Sequence, residues 1–224
     1  MAKDKLRRFA EFLEFPNCFD YPKELKGKWN SEYFKNNNPI VLELACGKGE
    51  YTVNLAEAFP EKNFIGIDIK SNRMWVGARM ALNAGRKNVA FARLIIEKLE
   101  EHFEKGEVSE IWITFPDPFP KDRHEKHRLT HPRFLKVYKE VIAEKGLMHF
   151  KTDDDGLFTY TEELFAQLGI KPIELVRDVH GTEEADAYVR NITTHYEKLF
   201  RGRGRTIKYM KFILPDQLPE LNKA

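Results

Sequence analysis

The chain has 224 residues, 37 Lys and Arg against 35 Asp and Glu, a net charge of +2, and 42% hydrophobic residues. This length and balance fit one globular domain with a sizeable core and exclude a disordered chain. No apolar run approaches the roughly 20 residues a spanning helix needs, so no membrane partner is expected.

Met1 to Phe9 carries Lys3, Lys5, Arg7 and Arg8 but no long apolar region, so it does not read as a secretory signal. Leu6, Phe9, Ala10, Leu13 and Glu14 are spaced for a short amphipathic helix. Pro16, Pro22, Gly27 and the Asn36–Pro39 cluster then interrupt the chain. Residues 1–39 are therefore expected to form an N-terminal basic arm, followed by an ordered domain over 40–224. Cys18 and Cys46 have no framework spacing, which predicts reduced thiols and a cytoplasmic setting.

Ile40–Leu44 reads as a buried strand, followed by Gly47 and Gly49 and a helix through Leu55 and Ala58. Phe64–Asp68 is a second strand, with Ser71 a candidate N-cap for the helix after it. Val89–Phe91 is a third strand, with Leu99 and Phe103 on a following helix. Ile111–Phe115 is the fourth. Thr130-His131-Pro132 opens a helix with proline in its first turn. Gly146–Phe150 is the fifth strand, and a helix starts near Asp154. Such alternation predicts an α/β fold with a mostly parallel sheet and helices on both faces, because each parallel return needs a crossover. Beyond Gly169, Ile173–Val179 and Thr206–Leu214 read as strands able to pair antiparallel at one edge, with no clear helix between them.

The loop Glu43-Leu44-Ala45-Cys46-Gly47-Lys48-Gly49 follows a strand and precedes a helix, where open α/β sheets bind ligands. Gly47 and Gly49 allow a tight turn and close approach of a ligand to the backbone. A dinucleotide fingerprint wants glycine at Thr52, and a P-loop wants Gly-Lys-Ser/Thr, so neither pyrophosphate nor triphosphate fits. Glu43 suits an ammonium group, and Asp68, at the end of the second strand, suits the two hydroxyls of a ribose. A ligand with a ribose, an ammonium and no phosphate is S-adenosyl-L-methionine.

The stretch Thr114–Leu129 joins a proline-stiffened acid, Asp117, to a basic run of Lys121, Arg123, Lys126 and Arg128, with His124 and His127 among them. A second run, Lys198, Arg201, Arg203, Arg205, Lys208 and Lys211, contains no acid. Two such runs in a chain of balanced charge point to a surface for phosphates. With cations interleaved and no Cys partner, His124, His127 and His131 read as phosphate or backbone contacts, and no metal is expected. Phe115 and Phe119 are candidates for base stacking, with core packing the competing role for Phe115.

Phe115-Pro116-Asp117-Pro118-Phe119-Pro120-Lys121-Asp122-Arg123-His124-Glu125-Lys126-His127-Arg128 resembles the signature F-P-D-P-W-P-K-x-R-H-x-K-R-R of the bacterial tRNA (guanine-N7)-methyltransferases. The resemblance runs from about Ile40 to Phe212 and includes Lys151-Thr152-Asp153 and Thr194-His195-Tyr196-Glu197. It implies a Rossmann-like class I methyltransferase fold with a seven-stranded sheet and an antiparallel edge hairpin. The implied reaction is methyl transfer from S-adenosyl-L-methionine to N7 of a variable-loop guanine, position 46 of tRNA. The roles it implies are cofactor contact for Glu43, Asp68 and Asp117, with Asp117 also catalytic. It implies substrate contact for Lys121, Asp153, Thr194, Tyr196 and Glu197, and RNA contact for Arg123, His124, Lys126 and Arg128. The chain departs from the family pattern at three places: Ala45 replaces a glycine, Phe119 replaces the tryptophan, and Ile95 stands where an acid near the adenine is usual. Two other readings are a methyltransferase for exocyclic amino groups, which wants proline at Phe119, and a non-catalytic RNA-binding module. The oligomeric state is left open between monomer and homodimer.

Overall fold

The computed structural model describes residues 2–219. Helix α1 (Ala2–Glu14) leads into a short strand β1 (Cys18–Asp20) and a π-helical turn at Trp29–Phe34. Then come β2 (Ile40–Leu44), α2 (Glu50–Ala58), β3 (Asn63–Asp68), α3 (Ser71–Asn83) and β4 (Val89–Arg93). After β5 (Val108–Thr114) follow α4 (Pro132–Val141), β6 (Ile142–Thr152), α5 (Asp155–Gln167) and β7 (Glu174–Val176). Two short helices, α6 (Ala187–Asn191) and α7 (His195–Gly202), precede the last strand, β8 (Lys208–Ile213).

The strands form one sheet in the order β1-β4-β3-β2-β5-β6-β8-β7. All pairs from β1 to β6 are parallel, and β8 runs antiparallel to both β6 and β7. The edge hairpin expected from Ile173–Val179 and Thr206–Leu214 is present. The strand order reverses between β2 and β5, which opens a crevice at their carboxyl ends. Every residue of β2 is buried, as its apolar run requires. Leu42, Ile65, Ile111, Met148 and Phe212 face one core layer. Val41, Phe64, Phe91, Trp112 and Tyr209 face the other, against Tyr51 and Leu55 of α2 and Met74 and Ala78 of α3.

The N-terminal stretch differs most from expectation. Phe12 of α1 is fully buried, whereas Leu6 is 71% exposed and Leu13 50% exposed. The helix thus docks on α3 through a face the apolar spacing does not mark. Strand β1 adds an eighth strand to the expected seven, paired with β4 from Cys18↔Phe91. Trp29 is fully buried, and its indole Nε1–H donates to the His102 carbonyl at 3.1 Å. The asparagine cluster also has a structural use. Asn63, at the start of β3, donates to the side-chain oxygens of Asn30 and Asn36 at 2.8 and 2.7 Å, which satisfies a fully buried amide. From Phe12 onward the stretch is thus held against α3, β3 and β4.

Smaller differences are local. Ser71 is the first helical residue, not the cap; the preceding turn is closed by Lys70 N–H donating to Asp68 Oδ1 at 2.8 Å. A short 3-10 stretch, Ile96–Glu101, replaces the helix expected after β4, yet Leu99 and Phe103 are buried as their spacing implies. The proline of α4 does sit in its first turn, behind His131 as N-cap, and Asp154 caps α5 by accepting from Leu157 N–H at 2.7 Å.

Trp29→Ala is expected to cost about 3–5 kcal/mol in urea unfolding, because it empties a large closed site. Leu6→Ala is expected to cost less than about 0.5 kcal/mol. Equal losses for both would contradict this packing.

Candidate active site

A cavity of about 630 Å³ lies at the carboxyl ends of β2, β3, β5 and β6. Among the acids that line it are Glu43, Asp68, Asp117 and Asp153. The structure therefore gathers residues that the sequence separates by more than a hundred positions.

Glu43 is buried among apolar neighbours, and its carboxylate is held on three sides. Oε2 accepts from Thr52 N–H at 2.8 Å and from the Thr52 hydroxyl, and Oε1 accepts from the Thr114 hydroxyl at 2.6 Å. Burial pushes its pKa up to about 7, against the opposing hydrogen bonds from Thr114 and Thr52. A carboxylate has about four acceptor positions, so roughly one is left for a ligand. Thr52, where a dinucleotide site would have glycine, is thus the residue that anchors this acid. Asp68 accepts from Gly47 N–H at 2.9 Å through Oδ2 and from Lys70 N–H through Oδ1. Two of its acceptor positions stay open.

The loop between them bends through three left-handed residues, Ala45 (φ 54°), Gly47 (φ 56°) and Gly49 (φ 70°). A side chain at Gly49 would strike the Phe91 ring, with Cε1 only 2.3 Å from the Cβ position. Ala45 accepts the strained conformation that glycine would relax. Beside the loop the wall is apolar: Ile69, Leu94, Ile95 and Ile96. Ile95 supplies no side-chain hydrogen bond there. The chemistry of this donor set, two oriented carboxylates with apolar flanks and no phosphate cradle, fits S-adenosylmethionine.

Asp117 is exposed at the cavity and has no side-chain hydrogen bond among the described residues. Its backbone is fixed instead from both sides. Phe115 N–H donates to the Lys151 carbonyl at 2.8 Å. The Phe119 carbonyl accepts from Arg128 Nε and Nη2 at 3.2 and 3.1 Å. Arg128 was expected against RNA, but it is buried, with its guanidinium 4.3 Å over the Tyr160 ring. Its work is to clamp the Pro-Asp-Pro corner. Phe119 sits near His127, with ring centroids 5.5 Å apart, and Phe115 packs against the second core layer.

Lys121, Arg123 and Lys126 are exposed on and beside the 3-10 turn Asp122–His127, and His124 is half-buried. None of these four forms an ion pair among the described residues. Among the described residues, no three of His, Cys, Asp and Glu group as metal ligands.

On the other wall, Asp153 follows β6 and accepts from Arg205 Nη1 at 2.7 Å. Thr194 caps α7 by accepting from Glu197 N–H at 3.1 Å, and Tyr196 is exposed at the cavity. Glu197, expected to touch substrate, is fully buried. Its carboxylate takes Lys151 Nζ at 2.9 Å and His180 Nε2 at 2.8 Å. Lys151 is also fully buried and donates to the carbonyls of Val189 and Ile192, at 2.7 and 3.3 Å. The helix pair that the sequence did not mark, α6 and α7, is thus pinned to the end of β6. His195 N–H adds a tie to Glu50 Oε2 at 2.7 Å, joining α7 to α2.

Glu197→Ala leaves an unpaired buried ammonium and should lower stability by about 3–5 kcal/mol in urea titrations. A residue used only for substrate contact would leave the unfolding midpoint unchanged. Glu43 binds its proton more tightly in the folded state than in the unfolded chain. Its stabilising contribution is therefore full below the ordinary carboxylate range and is lost as pH rises toward 7. Glu43→Gln should accordingly gain stability relative to the parent between pH 5 and pH 8; a pH-independent difference would contradict the raised pKa.

Comparison with known proteins gives the family. The profile of a family described as "Putative methyltransferase" matches residues 37–210. The chain is 46% identical to the tRNA (guanine-N(7)-)-methyltransferase of Bacteroides fragilis, over 97% of this chain and 88% of that protein. It is 48% identical to the protein of the same name from Christiangramia forsetii, over 94% and 98% of the two chains. The match to that of Clostridium acetobutylicum is 41%, over 87% and 90%. Among solved structures, the 16S rRNA methyltransferase KamB aligns with a TM-score of 0.61 at 14% identity, covering 82% of this chain and 92% of that one. A 16S rRNA (adenine(1408)-N(1))-methyltransferase from Catenulisporales acidiphilia aligns at 0.56 and 15%, covering 87% and 93%. These two likenesses carry the Rossmann-like methyltransferase fold alone, whereas the sequence matches are long and close enough to assign membership: the chain belongs to the tRNA (guanine-N7)-methyltransferase family.

Proposed function

We propose that the guanine this chain methylates at N7 is the one at position 46, in the variable loop of tRNA, and that Asp117 orients it. The reaction class follows from family membership: methyl transfer from S-adenosylmethionine to guanine N7 in tRNA. The observation that carries the residue-level reading is the unpartnered Asp117 on a doubly clamped corner, beside the oriented pair Glu43 and Asp68. A cytoplasmic setting belongs to the same reading, since tRNA is the substrate; no described helix is long and apolar enough to cross a membrane.

When bound, S-adenosylmethionine supplies an electrophilic methyl group on a sulfonium. Glu43 would hold the ammonium and Asp68 the ribose hydroxyls, with Gly47 and Gly49 permitting close approach. Guanine N7 already carries a lone pair, so no base is needed to create the nucleophile. The chain's task is in-line positioning and stabilisation of the cationic purine that forms. Asp117 faces the base and opposes the positive charge that develops on it, leaving the N1–H and 2-amino edge to Asp153. Asp153 provides a second carboxylate for the base, and Thr194 and Tyr196 border the same space. Lys121, Arg123, His124 and Lys126 hold tRNA phosphates, a sequence-tolerant and salt-sensitive contact.

Asp117→Ala should reduce transfer to unmodified tRNA by about 10²–10³-fold, while calorimetry with S-adenosylmethionine gives an affinity near that of the parent. Nucleoside mapping of the labelled product should find 7-methylguanosine at the variable loop. Full activity in the variant, or label elsewhere, would remove this reading. Arg123→Ala and Lys126→Ala should each lower the salt dependence of tRNA binding by about one phosphate contact.

A further inference from the structure

The carboxylates of this cavity differ in what holds them. Glu43 is fixed by two threonines, and Glu197 behind the wall by a buried lysine. Asp153, only 8% exposed, is held by the side chain of Arg205, which is itself about half exposed. Arg205 follows the end of α7, just past Gly204 (φ 77°), where no atom lies within 4 Å of either the Gly202 or the Gly204 Cβ position. Its guanidinium lies 5.6 Å over the Phe200 ring, and both residues line the cavity. Arg201 and Arg203 are exposed beside it, without carboxylate partners among the described residues.

Guanine presents a similar donor edge. Its N1–H and 2-amino group form a planar fork of parallel N–H donors, as a guanidinium does, and a carboxylate accepts either fork. Adenine has no such edge. The Arg205–Asp153 contact, a single Nη1–H donation to Oδ2 at 2.7 Å, occupies part of the carboxylate that such a donor edge would need. A tRNA that delivers its guanine also delivers phosphates, for which a displaced guanidinium is well suited.

We propose that Arg205 is a substrate-binding residue with two alternative partners: Asp153 in the free protein, and a tRNA phosphate once the guanine edge has taken the Asp153 carboxylate. This rests on the reading of Asp153 as a base contact. The exchange explains how a base site with a buried acid stays satisfied without substrate, and it selects for guanine presented within RNA. A free nucleoside must break the Arg205–Asp153 contact with nothing to offer the arginine. A tRNA replaces both halves.

The test uses Arg205→Ala, a half-exposed position at which folding is expected to persist, verified by thermal melting. In the presence of S-adenosylhomocysteine, free guanosine is titrated by NMR and unmodified tRNA by a binding assay over a salt series. The variant should bind guanosine several-fold more tightly and tRNA several-fold more weakly, with a salt slope lower by about one contact. Weaker binding of both ligands, or an unchanged salt slope, overturns the exchange. Asp153→Asn separates the layers. Unchanged guanosine affinity in that variant overturns Asp153 as a base contact and the proposal with it. A fall there, without a gain in Arg205→Ala, overturns the exchange alone.

Discussion

The geometry of the cavity depends on one buried ammonium. Lys151 lies on β6, next to β5, and points away from solvent. Its carbonyl holds Phe115, the first residue of the Pro-Asp-Pro corner, and its side chain gathers Val189, Ile192 and Glu197. One residue therefore fixes both walls, the corner that carries Asp117 and the helices that carry Thr194 and Tyr196. Burial lowers the Lys151 pKa, and the Glu197 carboxylate works against that shift. Taking a charge so far from water is costly, and only a nearly complete ring of acceptors makes it tenable. The return is placement: the ring is formed by the segment that must be positioned.

Charge is sorted by depth. Acids line the cavity, with Lys48, Lys70, Arg73 and Arg205 at its border, and unpaired cations lie outside it on the turn Asp122–His127 and on α7. Such an arrangement repels phosphate from the interior and attracts it to the rim. A polyanion can then dock while a ligand with positive charge sits within. The same sorting suits a reaction in which a neutral base becomes a cation, because the developing charge is surrounded by groups oriented beforehand.

Much of this was legible in the sequence, for physical reasons. Parallel strands buried on both faces read as continuous apolar runs, so β2 to β6 stood out, as did the glycines of the loop and the stiff corner at Asp117. The N-terminal stretch was not legible. Its strand is three residues long, and its buried residues, Phe12 and Trp29, follow no helical or strand period. Two residues expected at the substrate are buried against protein groups, for a common reason. Arg128 and Glu197 are charged residues in a motif, and charge in a motif suggests a ligand. Their partners are instead protein groups, Tyr160 and Phe119 for one and Lys151 and His180 for the other. Spacing carries no information about such pairings. Thr52 and Thr114 were missed as supports of Glu43 because their relation to it exists only across strands and helix.

The corner around Asp117 has a further property. Phe115 and Phe119 both have left-handed backbone, at φ 49° and 44°, a conformation that costs a non-glycine residue on the order of 1 kcal/mol or more. Neither aromatic would hold it alone. The Lys151 carbonyl restrains one end and Arg128 the other, so the loop is a sprung arch between two abutments. An arch transmits load to its footings. Drift at Tyr160, which supports Arg128 from α5 and lies outside the motif, would flatten it and withdraw the acid from its place while leaving every motif residue intact. Conservation of function in this chain therefore extends to residues that no inspection of the motif would nominate.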